Sequence, residues 1–157
     1  MNIITLLHNL RNAVHDDSDT QTWCTANYGR NHKVLVGVDT RKPPAEASYP
    51  LVHLFLVKKT GGYELNEQSF IIGATCGIFN SELATTGKAN VVEYQGIEHV
   101  ETFRKYVENA IAGVDTGDLI IATLDIDYET IEFFPFFLVN MEIRFADEYV
   151  FGDGVFG

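Results

Sequence analysis

The sequence predicts an α+β fold, a mostly antiparallel sheet with helices packed on one side, and three observations carry that expectation. Two segments place apolar residues at helical spacing: Ile3, Leu7, Leu10 and Val14 near the start, then Ile97, Val100, Phe103, Val107 and Ile111. Two apolar runs flank a Gly61-Gly62 turn signal. The last third alternates apolar with polar residues on either side of Pro135. With 157 residues, 46% of them hydrophobic, the chain is sized for one core. We expect a single α+β domain over residues 1–148 and a glycine and aromatic tail over residues 149–157.

Taken in order, the first helix is expected over residues 2–15, with Leu6 widening its stripe and His8, Arg11 and Asn12 on other faces. Asp16, Asp17, Ser18 and Asp19 then read as a turn, because such side chains bond to nearby backbone and their charge opposes the negative end of the helix dipole. Residues 33–38 alternate and are rich in valine, which favours a short strand. Residues 41–46 read as an exposed connection, since Pro44 holds Pro43 out of the helical region. The apolar run at 51–57 predicts a central strand buried on both faces. Residues 69–79 supply its hairpin partner, with Gly73 and Gly77 permitting a bulge or a close backbone approach. Residues 80–94 are weakly patterned and fit a short strand or a loop return. A helix over residues 97–111 puts Glu98, Glu101, Arg104, Lys105 and Glu108 mostly away from its apolar face, with Gly113 just past its end. Residues 119–124 fit helix or strand equally, whereas 125–133 and 136–145 are strand-like.

Charge narrows the function classes. Eleven Lys and Arg against 22 Asp and Glu give a net charge of -11, which opposes unaided binding to nucleic-acid phosphates or to an anionic membrane surface. No apolar run approaches the roughly 18 to 20 residues of a membrane span, and no signal segment precedes a cleavage site. A soluble, unexported protein without sequence-specific nucleic-acid binding is expected. Cys24 and Cys76 lie far apart and outside any C-x-x-C spacing, which suits a reducing compartment and gives no zinc signature.

The sharpest chemical candidate is Asp125-Ile126-Asp127-Tyr128-Glu129, because in a strand its three carboxylates project from one face. Asp125, Asp127 and Glu129 are thus candidate Mg²⁺ or Mn²⁺ ligands, although alternating charges are also the ordinary pattern of a half-exposed strand, and that plainer reading is preferred. None of the five histidines forms a pair with metal-binding spacing. His53 and Cys76 face each other across the expected hairpin as a candidate base and nucleophile, but a buried cysteine behaves most often as a small hydrophobe. The glycine-rich segment at 73–77 lacks the serine of a nucleophile elbow, and Gly87-Lys88 lacks the rest of a phosphate-binding loop. In the tail, Tyr149, Phe151, Val155 and Phe156 are candidate interface residues: the segment reads either as a frayed terminus or as an arm that orders on another subunit.

The order of elements also resembles a known family. A short helix from Ile3, a loop with Trp23 and Tyr28-Gly29, a strand at 33–38, a proline loop ending Tyr49-Pro50-Leu51-Val52, a hairpin, the helix at 97–111 and a closing Phe134-Pro135-Phe136 strand resemble tail-terminator and tail-completion proteins of tailed bacteriophages. The likeness spans most of the chain and rests on the pattern of elements rather than on a diagnostic motif. It implies a structural virion protein without catalytic residues or cofactor. Such a protein forms a homo-hexameric ring that caps the tail tube, stops its polymerisation and helps join tail to head. The implied partners are other copies of the chain, the tail tube protein and a head-tail connector protein. The implied location is the tail or neck of the virion, after assembly in the host cytoplasm. Two other classes stand beside it: a small metal-dependent hydrolase using Asp125, Asp127 and Glu129, and an acidic host-interaction protein.

Overall fold

The computed structural model describes residues 1–62, 65–130 and 133–147. Among them three α-helices, α1 (Ile3–Asp16), α2 (Ser18–Tyr28) and α3 (Gln95–Ala112), accompany five strands, β1 (Lys33–Val36), β2 (Leu51–Gly62), β3 (Leu65–Phe79), β4 (Leu119–Glu129) and β5 (Phe136–Asp147). The strands form one sheet in the order β1-β2-β3-β5-β4, parallel only between β1 and β2. The architecture is α+β, as the periodicities predict. None of the described helices is long and apolar enough to cross a membrane.

One face of the sheet makes the core. Val52 and Leu54 of β2, Phe70, Ile72, Ala74, Cys76 and Ile78 of β3, and the odd positions 137–145 of β5 are all buried there. They pack in one cluster with Leu6, Leu10 and Val14 of α1 and with Val100, Phe103 and Val107 of α3. The period-2 alternation places every second strand residue on this face and the rest on the other. A register such as Cys76 opposite Val52 and Val139 therefore lines up whole rows of apolar side chains.

Local signals set the helix ends. Asn2 caps α1 by accepting a hydrogen bond from the Thr5 amide at 2.8 Å. The acidic run at 16–19, expected as a turn, instead joins two helices: Asp17 ends α1 and caps α2, its carboxylate accepting from the amide and the hydroxyl of Thr20 at 2.9 and 2.6 Å. An aspartate at the N-cap also sits at the positive end of the second helix dipole, so the same charge that closes one helix favours the next.

One further expectation needs correction, and two open readings are resolved. β2 is not buried on both faces along the run at 51–57, since Leu56 and Val57 are 46% and 42% exposed. β1 covers only the first four residues of β2, from Lys33 opposite Leu51 to Val36 opposite Leu54. At Gly37, in the left-handed region at φ 78°, the chain turns away after one last bond from its amide to the Leu54 carbonyl. The ambiguous residues 119–124 are strand, the first half of edge strand β4, of which only Leu119 is buried. Residues 80–94 hold a loop return with a single antiparallel bridge, Leu83 to Tyr94.

Candidate assembly surfaces

The acidic row is where the sequence places it. Asp125, Asp127 and Glu129 occupy the helix-free face of β4, opposite Glu142, Asn140 and Leu138 of β5. Same-face neighbours along a strand stand about 6.5 to 7 Å apart, and the side chain opposite Asp125 is itself an acid. The three line a face without converging, and no trio of His, Cys, Asp or Glu among the described residues is placed to hold a metal ion.

The His53 and Cys76 pairing is not formed. Cys76 lies opposite Val52 on the core face, whereas His53 lies opposite Thr75 on the other. Burial pushes the Cys76 thiol far up, away from thiolate, and pushes His53 down. Cys24 is likewise buried, its pKa raised to about 12. Neither sulfur has the electropositive, accessible setting of a reactive cysteine.

Two polar clusters go beyond what the sequence predicts. Arg104, expected on the polar face of α3, has a side chain only 5% exposed. It is gripped by Glu101 at 2.6 Å and by Glu108 at 2.7 Å, and the Tyr128 hydroxyl of β4 donates to Glu101 at 2.6 Å. The guanidinium holds the Glu101 carboxyl down at about 2, the Tyr128 bond helping despite desolvation. The i,i+3 and i,i+4 spacing of Glu101, Arg104 and Glu108 is the readable signal. Its effect is to strap the edge strand to the helix. In the second cluster Tyr28 shares a hydrogen bond of 2.8 Å with Nδ1 of His99, and Asn80 donates both to the Tyr28 hydroxyl and to Gln95, each at 3.1 Å. Trp23 closes this group against Phe103 and His99. Both clusters are satisfied among themselves and join elements together.

What remains open is apolar surface. At the end of the sheet where β3 finishes and β5 and α3 begin, Leu83 bridges to Tyr94, and the Tyr94 ring packs 4.9 Å from that of Phe134. Leu83, Val92, Tyr94, Ile97 and Phe134 are all exposed there, Val92 by 71%. Exposed apolar side chains that touch one another, as Leu83, Tyr94 and Phe134 do, are the kind of surface that marks an interaction site. Among the described residues the sheet also ends in bare strand at β4 and along β2 beyond Leu54. The tail candidates Tyr149, Phe151, Val155 and Phe156 lie outside the described residues. No protein-family model matches the chain, and no curated protein matches it with significance.

Proposed function

We propose that the chain is a structural virion assembly protein of a tailed bacteriophage: copies form a homo-hexameric ring that caps the tail tube, ends its polymerisation and helps join tail to head. The observation that carries the reading is the exposed apolar end surface of Leu83, Val92, Tyr94 and Phe134, which lies at the strand ends and so at right angles to the sheet edges. A ring built through the edges presents such ends along its axis, where a tube below and a connector above must be met. The α+β architecture and the resemblance in element order support the same reading, with one departure: the segment expected there as a loop with Trp23 and Tyr28 is helix α2 (Ser18–Tyr28). The net charge of -11 suits a bore through which DNA passes without being held by its phosphates. In this reading the tail tube protein and a head-tail connector protein are the partners, and the protein resides in the tail or neck after assembly in the host cytoplasm.

Native mass measurement and electron microscopy of the purified protein test the ring directly: a closed oligomer of six is expected. A phage carrying Tyr94→Asp and Phe134→Asp is expected to make overlong or unjoined tails while the ring still forms. Normal tails and normal joining from that double variant would remove the support given by the end surface.

A further inference from the structure

The proposed ring requires each copy to present two different lateral surfaces, and among the described residues the sheet has two bare edges that differ in charge. On one side β1 pairs with β2 only as far as Leu54, the chain leaves at Gly37, and residues 55–60 of β2 face no strand among the described residues. On the other side β4 is unpaired along its whole outer edge among the described residues. Bare edges of this length are templates for another strand.

The two edges fit each other on both faces. On the helix-free face, Lys58 lies in a row with Ile71, Arg144 and Thr123, so Lys58 and the carboxylates of Asp125 and Asp127 project from the same side. All three are exposed. Lys59, opposite Phe70, adds a second charge to the same edge from the helix side, its Nζ 5.8 Å from the centroid of the Phe70 ring. On the helix side, Leu56 lies in a row with Ile72, Ile143 and Leu124 and is half exposed. The matching side of β4 offers Ile121 and an apolar cleft of about 70 Å³ between β4 and the end of α3, lined by Ile111, Ala112, Ile121 and Leu124 among others. Direction agrees too: β2 and β5 run one way and β3 and β4 the other, so copies repeated side by side set β4 antiparallel to β2.

We infer that the free half of β2 in one copy pairs, antiparallel, with β4 of a second copy of this chain, an inference that rests on the ring reading. Of the three ways to join two edges, β2 to β2 opposes lysines with lysines and β4 to β4 opposes acids with acids, each destabilising across a strand pair. Only β2 to β4 sets Lys58 beside Asp125 and Asp127 on the helix-free face and leaves no like charge opposite Lys59 on the other. That contact is head to tail, and such contacts generate rings when the rotation closes. In a chain with twice as many acids as bases, general repulsion between copies leaves this local complementarity to select the contact.

The test is a charge-reversal exchange on the full chain, read by sedimentation velocity at low salt. Lys58→Glu with Lys59→Glu in one variant, and Asp125→Lys with Asp127→Lys in another, are each expected to raise the midpoint concentration of assembly at least about a hundredfold. Mixing the two variants restores rings of alternating copies, as does combining all four changes in one chain. Rings that persist in both variants with an unchanged midpoint overturn the edge pairing and leave the ring itself standing. A wild-type chain that stays monomeric overturns both. Where either variant fails to fold, amide exchange on the wild-type protein decides: slowed exchange in residues 55–60 and in β4 on assembly supports the pairing, and unchanged exchange there refutes it.

Discussion

The two faces of one sheet are made by the same strands and obey different rules. Toward the helices, Val52, Leu54, Phe70, Ile72, Cys76, Val139 and Met141 are sealed from solvent. One residue along, the other face carries His53, Phe55, Thr75, Asn140, Glu142 and Arg144, half-buried or exposed. On that face Phe55 lies directly across Gly73, whose missing side chain makes room for the ring. Thr75 donates to Asn140 at 2.6 Å. Packing against helices fixes register and stability, while the second face and the edges are free to carry charge and contact chemistry. A substitution should therefore cost much stability on one face and little on the other.

Neighbouring residues give the sharpest way to break that contrast. Leu54→Ala should cost about 2 to 5 kcal/mol, as truncation of a sealed leucine does, while Phe55→Ala one residue away should cost about 1 to 2 kcal/mol less because its ring is partly solvated already. Urea denaturation of the pair measures it, and equal losses would show that the open face contributes as much as the core. Next in size is Arg104→Ala. Removing it leaves Glu101 and Glu108 without their cation, but both reach solvent, so a loss near about 2 kcal/mol is expected, below the range for fully buried pairs. Arg144→Ala, on the open face, should change stability by no more than about 0.5 kcal/mol in the same titration. Between these two lies Gly73→Ala. The new methyl would overlap the Phe55 ring, which is only half-buried and can swing outward, at a cost of about 1 kcal/mol.

The smallest expected effect concerns acid. The carboxyl of Glu101 is held at about 2 in the folded chain against an ordinary 4.5, so its contribution to stability is complete above about pH 4.5 and is lost as pH falls toward 2. Glu101→Gln should flatten the stability profile across that window and leave the slope above about pH 5 unchanged. A profile of wild-type shape in the variant would assign the acid sensitivity to other carboxylates.

Much of the fold is legible in the sequence, and the parts that are not share a cause. α1, α3, β3 and β5 announce themselves because each buries a continuous stripe against the core, and burial is what hydrophobic periodicity records. α2 escapes detection because it buries only Thr20 and Cys24, too few residues to show a stripe, and because its capping Asp17 stands in an acidic run that also suits a turn. β4 is half ambiguous for the same reason, an edge strand with one sealed residue. Arg104 is hard to place because its spacing from Glu101 and Glu108 signals the ion pairs but not that the guanidinium is buried, with its side chain 5% exposed. The acidic row of Asp125, Asp127 and Glu129 is readable as one face of a strand, yet whether that strand is an edge depends on sheet order, which local periodicity does not encode.

Trp23 is the only tryptophan in the sequence, and it sits where α2 meets α3, its ring nearly parallel to that of Phe103 at 5.9 Å between centroids. The chain thus carries its one indole at the helix junction and none on the sheet. Unfolding separates the indole from Phe103 and shifts its emission to the red, whereas association through the sheet edges leaves its surroundings intact and changes only light scattering and rotational tumbling. Emission wavelength and anisotropy from one unlabelled sample therefore follow the two processes separately, the colour reporting whether the chain is folded and the polarisation reporting whether copies of it associate.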